Sequence, residues 1–178
     1  MKHIFPILLG LSFLFTASFI YAQQSSQAEH DLKLEVQSIL SGLSGNLDKF
    51  ELFQKKLEAS GRNNKGYDEN KNIWLSTVLA VQALSSICEN EQDLLHLFWD
   101  LKKHRRSNYY DVRVKSLSAS IVQIKIMLAQ IHINHRLLPP DLSEIDLFSS
   151  INKNADATIE LLEKSIRLIT KIRSPQSP

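Results

Sequence analysis

The sequence predicts an all-α protein: a signal peptide followed by an antiparallel, up-down-up-down four-helix bundle with long helices. Three observations support this prediction. No proline occurs between Ile7 and Leu138, and no glycine follows Gly66. Apolar residues recur at helical spacing, without a break, over residues 110–138. Sheets need turn residues at short intervals and long helices exclude them, so a helical chain is expected.

Residues 110–138 carry the clearest apolar line, about four heptads long. Its members lie three or four positions apart: Val114, Leu117, Ile121, Ile124, Leu128, Ile131, His135 and Leu138. The segment is also rich in β-branched residues, and 122–126 alternates as a half-buried strand would. A strand interpretation needs turns, and this segment contains neither glycine nor proline. A helix ending at Pro139 is therefore the preferred interpretation.

Residues 1–22 are typical of a secretory signal peptide. Lys2 supplies a basic start, residues 4–20 are apolar, and Ala22 is a small residue before Gln23. We therefore expect export, to the periplasm or out of the cell. An uncleaved N-terminal membrane anchor is the alternative, because the apolar stretch just reaches the length that spans a bilayer. No later segment is expected to cross a membrane.

The bundle domain is predicted to span residues 23–173, with 174–178 as a disordered tail. Its first helix is expected to start within 27–31 and to end at Gly61 in a left-handed C-cap. One apolar line runs along this helix: Val36, Ile39, Leu43, Asn46, Phe50, Phe53 and Leu57. Gly42 and Gly45 lie inside it and indicate either a kink or a close helix crossing.

The second helix is expected to begin after Asp68, a plausible N-cap. Two adjacent apolar lines predict a wide buried face: Ile73, Thr77, Ala80, Leu84, Ile87, Glu91, Leu94, Phe98 and Leu101, beside Trp74, Val78, Val81, Cys88, Leu95 and Trp99. Cys88 is the chain's one cysteine. Its position in this face predicts a small buried hydrophobe, while an intermolecular disulfide is the alternative.

The last helix is expected to follow a capping box formed by Asp141 and Glu144. Its apolar line comprises Phe148, Asn152, Ala155, Ile159, Leu162, Ile166 and Ile169. Residues 149–156 are weak helix formers, so an irregular stretch is possible there. Polar residues within the apolar lines, such as Asn46, Thr77 and Glu91, are more often used to fix helix register than to bind a ligand.

Composition and spacing argue against several function classes. The formal net charge of +2 is too small for a dedicated nucleic-acid binder. Asp93 and His96, and His132 and His135, are spaced like metal ligands in a bundle, but antiparallel packing would offset the two pairs by roughly 21 Å. No nucleophile elbow or glycine-rich phosphate loop is present. We therefore expect no enzyme activity, no metal and no cofactor.

A basic pole is the best candidate contact surface in the sequence. In an up-down-up-down bundle the second loop and the C-terminus lie at one end, which gathers Lys102, Lys103, Arg105, Arg106, Arg113, Lys171 and Arg173. Tyr109 and Tyr110 are candidate aromatic contacts beside it. Anionic lipid, glycan or an acidic protein face would suit this pole. Alternatively, these are simply the cations that helix C-termini favour.

The leading functional hypothesis is a non-enzymatic exported bundle that acts as a binding or structural module, with a protein as partner. The alternative is a carrier that holds a small apolar ligand between the helices, near Gly42, Gly45, Trp74 and Val78.

Overall fold

The structure is a computed structural model that describes the backbone of residues 4–63, 67–101, 107–138 and 145–173, and the side chains of 27–60, 70–99, 108–138 and 146–172. Within these ranges the chain forms helices and no strand, so the all-α prediction is confirmed. The helices are α1 (Ile4–Asn63), α2 (Tyr67–Leu101), α3 (Ser107–Leu137) and α4 (Ile145–Arg173).

The chain divides into two compact units, Met1–Gln37 and Ser38–Pro178. The first unit contains the N-terminal part of α1. The second contains the rest of α1 together with α2, α3 and α4, and it holds the polar contacts between helices described below.

The ends of α1 differ from the prediction. The helix begins at Ile4 rather than within 27–31, and it passes through Gly61 to Asn63. No glycine of the described backbone has a positive φ, so Gly61 does not form the left-handed cap expected of it. Between Ile7 and Gly42 the sequence has only Gly10 and no proline to end a helix.

The other helix boundaries shift by a few residues. α2 begins at Tyr67, which places Asp68 inside the helix rather than at its cap, and α3 begins at Ser107. At the end of α3, the amide of Leu138 still donates to the carbonyl of Asn134 over 3.1 Å. Residues 149–156 are helical throughout, because tertiary packing outweighs their weak propensity. The expected capping box at Asp141 and Glu144, and the expected tail, lie outside the described residues.

The predicted apolar lines form most of the core. All seven members of the α1 line are buried, as are Leu117, Ile121, Ile124 and Ile131 of α3. The largest fully buried side chain is that of Trp74, whose indole N–H donates to the carbonyl of Leu57 over 2.9 Å. This bond joins α1 to α2 and satisfies the polar atom of a buried aromatic residue.

Gly42 marks a close helix crossing, as one of the two interpretations of its position predicted. A Cβ atom at Gly42 would lie 2.8 Å from Cδ1 of Leu161 in α4, closer than van der Waals contact permits. At Gly45 a Cβ would meet nothing within 4 Å. The two glycines therefore differ in role, and only Gly42 is required by the approach of α4.

The sequence predicts no membrane-spanning segment after residue 22, but α3 meets the criteria of length and composition for one. Within the described part of the chain, residues 108–137 of α3 are long and apolar enough to cross a bilayer, a criterion that the core helix of a soluble protein also meets. Only 17% of the most apolar part of this helix is buried within the protein. Most residues in this part of α3 are therefore not buried in the core.

Candidate functional site

A buried ion pair joins α2 to α3. Nη2 of Arg113 donates to Oε2 of Glu91 over 2.5 Å, and the Ser120 hydroxyl donates to Oε1 of the same carboxylate over 2.5 Å. Arg113 and Glu91 are each 3% exposed. The Nε atom of Arg113 is buried without a hydrogen-bond partner among the described residues. The pair therefore neutralises two buried charges, with one donor left unsatisfied.

A second polar cluster lies where α1, α2 and α4 meet. Nδ2 of Asn46 donates to the Thr158 hydroxyl over 3.0 Å, and Nδ2 of Asn154 donates to the carbonyl of Asn46 over 2.9 Å. The Thr158 hydroxyl donates to the carbonyl of Asn154, which leaves its free lone pair for the thiol of Cys88 at 3.7 Å. The cluster links three helices through side chains that are all buried.

Cys88 is buried, as predicted. Burial away from water raises the pKa of its thiol to about 11, the hydrogen bond with Thr158 opposes that shift, and the charge of Glu91 adds to it. A thiol in this state is protonated at neutral pH and is a poor nucleophile. The alternative of an intermolecular disulfide would require Cys88 to leave the core.

A third contact between helices joins α2 to α3 near the other end of α2. Nδ2 of Asn134 donates to the Thr77 hydroxyl over 3.1 Å, while Gln130 donates to Oδ1 of Asn134 over 2.8 Å. Thr77 in turn donates to the carbonyl of Ile73. Each of these polar groups finds its partner within the bundle, so the contact fixes register rather than presenting a reactive group.

The histidine and acid pairs considered as metal ligands are separated. Asp93, His96 and His132 are exposed, and His135 is half-buried against Phe148, with ring centroids 4.2 Å apart. In the part of the chain that the structure describes, no group of three or more His, Cys, Asp or Glu side chains could hold a metal ion.

The predicted basic pole loses one member. Arg113 is buried in its ion pair with Glu91 of the facing helix and therefore cannot contact a partner. Lys171 is exposed. Lys102, Lys103, Arg105, Arg106 and the side chain of Arg173 lie outside the described residues.

The two candidate aromatic contacts are half-buried. Tyr109 stacks on Phe98 with ring centroids 6.1 Å apart, and Tyr110 meets the same ring edge-on at 5.6 Å. Much of their apolar surface is therefore used to pack α3 against α2, and less of it is available to a partner.

A larger apolar surface lies on the outer side of α3. We call it the outer stripe; its members are all exposed and fall three or four residues apart: Ala119, Val122, Ile126, Ala129, Ile133 and Leu137. The four larger ones are each more than half exposed. This stripe lies opposite the buried line of the same helix, so α3 is apolar on two sides.

The predicted lines do not include the outer stripe, because the β-branched residues of α3 entered the prediction only as the basis of a strand alternative. Their spacing could have identified it, since one helix cannot turn both lines toward the same neighbour. Buried polar positions were missed for a related reason. The structure buries Asn134, Asn154 and Thr158, which lie beside the predicted lines, because each helix contacts two neighbours.

An open groove of about 340 Å³ lies between α1 and α4. Its lining combines apolar and cationic side chains: Lys49, Phe53, Ser150, Lys153, Asn154 and Ala157. Oδ1 of Asn154 is buried without a hydrogen-bond partner among the described residues. Two of the positions expected to line a ligand space leave no room for a ligand. Leu161 occupies the space beside Gly42, and Trp74 is buried in the core.

Comparisons with known proteins add no further identification. No protein-family model, no curated protein and no solved structure matches the chain. What the protein does must therefore be argued from its own surface and interior.

Proposed function

We propose that this protein is an exported, non-enzymatic helical bundle that acts as a binding or structural module through its outer surface. The observation that carries this proposal is the outer stripe of α3, where four large aliphatic side chains are more than half exposed along one line. Contiguous exposed apolar surface of this kind is typical of an interaction site.

The proposed topology is up-down-up-down, with antiparallel neighbours. Contacts between α1 and α4 support it, because Gly42 approaches Leu161 while Asn46, further along α1, pairs with the earlier residue Thr158. Contacts between α2 and α3 run the same way. Thr77 pairs with Asn134, and Glu91 pairs with the earlier residue Ser120.

The interior supports a non-enzymatic role. Its buried polar groups are used mainly in pairs that join one helix to another, and the one buried thiol is held protonated. A protein partner was expected from the sequence. Lys171 remains available for the basic pole, which would suit anionic lipid or glycan.

We propose that the leader directs export, so that the protein is periplasmic or secreted. Lys2 and the apolar residues 4–20 support it, and retention as an N-terminal anchor is the alternative.

The experiment for this proposal compares the accessibility of α3 in its native setting with that in the purified protein. Single cysteines would be introduced by Ile126→Cys or Ile133→Cys, with Glu51→Cys, exposed on α1, as the matched control. We expect a membrane-impermeant maleimide to label both α3 sites several-fold more slowly in the intact host than in the purified chain. Labelling of the control site should change little. Equal protection ratios at all three sites would contradict the proposal.

A small-ligand carrier is the second candidate, favoured by the groove between α1 and α4. Phe53 and Ala157 offer an apolar floor, and Lys49 and Lys153 offer positive charge. A ligand with an apolar chain and an anionic head would suit this lining. We expect a medium-chain fatty acid to raise the melting temperature, and a Lys49→Glu/Lys153→Glu variant to lose that gain. Fatty alcohols and fatty acids acting equally on both proteins would exclude the groove as the site.

A further inference from the structure

The apolar side chains of the outer stripe extend over a considerable length of α3. From Ala119 to Leu137 they cover about 27 Å of helix at 1.5 Å per residue. The opposite side of the helix is filled by Leu117, Ile124 and Ile131, which are buried. Packing of the core therefore does not require apolar side chains in the outer stripe. The apolar character of the stripe needs another explanation.

Charge around the outer stripe has one sign. Lys115 lies in line with it at one end, and Lys125 and Arg136 follow one border. Gln123 and Gln130 follow the other border. No aspartate or glutamate occurs between Asp111 and Asp141, so from Lys115 to Leu137 α3 brings cations and no carboxylate to this face.

The neighbouring helices do not reverse this pattern. Among its described side chains, α4 carries exposed acids and bases in balance: Asp146, Asp156, Glu160 and Glu163, against Lys153, Lys164, Arg167 and Lys171. Among the described side chains of α2, the exposed charges are Glu89 and Asp93 against Lys71. The cationic character of the face belongs to α3 itself.

This charge pattern makes a second copy of the chain a poor partner for the stripe. In an antiparallel pair of α3 helices the basic borders would meet each other, and in a parallel pair they would meet only glutamines. Neither arrangement supplies a carboxylate, so the surface that complements this face is apolar at its centre and anionic at its edge.

We propose that the outer stripe of α3 docks the protein on an anionic lipid bilayer, with the helix lying in the plane of the membrane surface. This inference rests on the proposed function, since it names the partner that covers the exposed face. Val122, Ile126 and Ile133 enter the boundary between headgroups and acyl chains. Long basic side chains such as Lys125 and Arg136 keep their apolar stems on that layer while their charged ends reach the lipid phosphates.

The helix lies on the bilayer and does not cross it. Its other side carries the core line and the buried partners of Glu91 and Thr77, namely Arg113 and Asn134, which a spanning orientation would strip from the bundle. Docking by one exposed face needs no unfolding, and its strength depends on both apolar area and anionic lipid.

The test places an environment-sensitive fluorophore on the outer stripe of the full chain, through Ala129→Cys. The native Cys88 is buried and protonated, so labelling is selective for the introduced thiol. Glu51→Cys on α1 is the matched control. With phosphatidylcholine vesicles containing phosphatidylglycerol, we expect a blue shift and brighter emission from the Ala129 probe and no change from the control. Phosphatidylcholine alone should give a much smaller response.

A charge variant tests the anionic preference. Each basic side chain removed near an anionic surface should weaken binding roughly fivefold, so Lys125→Gln/Arg136→Gln should bind more than tenfold more weakly. Lys55→Gln/Lys56→Gln removes the same charge from exposed positions of α1 and should bind as the parent does. Equal losses in both variants would show that only net charge matters and would overturn the assignment to α3.

The remaining outcomes separate this inference from the proposed function. A leader that inserts in the vesicle would hold the chain there but leave the Ala129 probe in water, which contradicts docking through α3. A probe that responds to protein concentration without vesicles indicates a second copy instead. Protection of α3 in the intact host, with no response to vesicles, indicates a protein partner and leaves the proposed function standing. Absence of both responses removes both.

Discussion

Cys88 shows how one buried residue links stability to pH. Its pKa is about 11 in the folded chain, against 9.0 for an unperturbed thiol. Between these values the unfolded chain releases the proton and the folded chain keeps it. Stability therefore falls as pH rises through this window, and the contribution is fully present below pH 9.

We expect the free energy of unfolding to fall by about 2–3 kcal/mol from this group alone between pH 8.5 and pH 11.5. Urea unfolding of the parent and of Cys88→Ala at both pH values measures it, because the two proteins differ only at this residue. The alanine variant should be less stable at pH 8.5 and should lose less stability on going to high pH. If the free energy of unfolding fell equally with pH in both proteins, ionisation of Cys88 would not destabilise the folded chain.

Gly42 and Gly45 give a matched pair of substitutions in one helix. Gly45→Ala should stabilise the protein by about 0.5–1 kcal/mol, because alanine favours the helix and the new Cβ meets nothing. Gly42→Ala gains the same propensity, but its Cβ would lie 2.8 Å from Cδ1 of Leu161. The leucine must change its position, and the gain is offset.

Thermal or urea unfolding of the two alanine variants should place Gly42→Ala at least several tenths of a kcal/mol below Gly45→Ala. Adding Leu161→Ala removes the obstructing methyl group and should make the two glycine substitutions equivalent. Equal effects in the presence of Leu161 would mean that α1 and α4 can separate at this crossing without cost.

At the scale of the elements, α2 and α3 are held in register by Glu91 and Arg113. Glu91→Ala leaves a buried guanidinium with no carboxylate, which should cost about 3–5 kcal/mol. Glu91→Met/Arg113→Met leaves no buried charge and should be far closer to the parent in stability. Ser120→Ala removes one hydrogen bond to the carboxylate and serves as the mild member of the series.

Urea unfolding of the parent, Glu91→Met, Arg113→Met and Glu91→Met/Arg113→Met gives the coupling between the two positions. If a single variant does not fold, the double variant should still fold with a stability close to that of the parent. A double variant whose loss equals the sum of both single losses would show that the pair does not act as a unit.

Sequence periodicity predicted the helices and their buried apolar lines well. It predicted poorly where the helices begin and end and which polar side chains pair between helices. Burial of the line from Val36 to Leu57 could be predicted because each member is either apolar or paired with a polar group of another helix. Arg113 could not be read as buried, since nothing local distinguishes it from a surface cation. Its partner Glu91 comes from another helix, and only the packing brings them together.

The same limit explains the outer stripe. In α3 two apolar lines exist, and the sequence alone does not state which one faces the core. The partners Thr77, Glu91 and Phe148 on neighbouring helices decide it. The helix start expected within 27–31 failed because a change of composition is not a stop signal, and no residue there breaks the helix.

At the scale of the whole molecule, the predicted leader and the described buried positions of α1 occupy different parts of the sequence. From residue 27 to residue 35 no described side chain is fully buried, and the first one is that of Val36. Residues 1–22 therefore precede every described buried position in the sequence, although the helix backbone begins at Ile4.

We accordingly expect the protein recovered from its exporting host to begin at Gln23, by intact mass. This processed form should match the purified full chain within about 0.5 kcal/mol in its free energy of unfolding, since surface changes away from packed positions have effects of this size. A chain that keeps residues 1–22 in the host membrane fraction would favour the anchored alternative. A processed chain that unfolds much more readily would show that the N-terminal part of α1 contributes to the fold beyond its buried side chains.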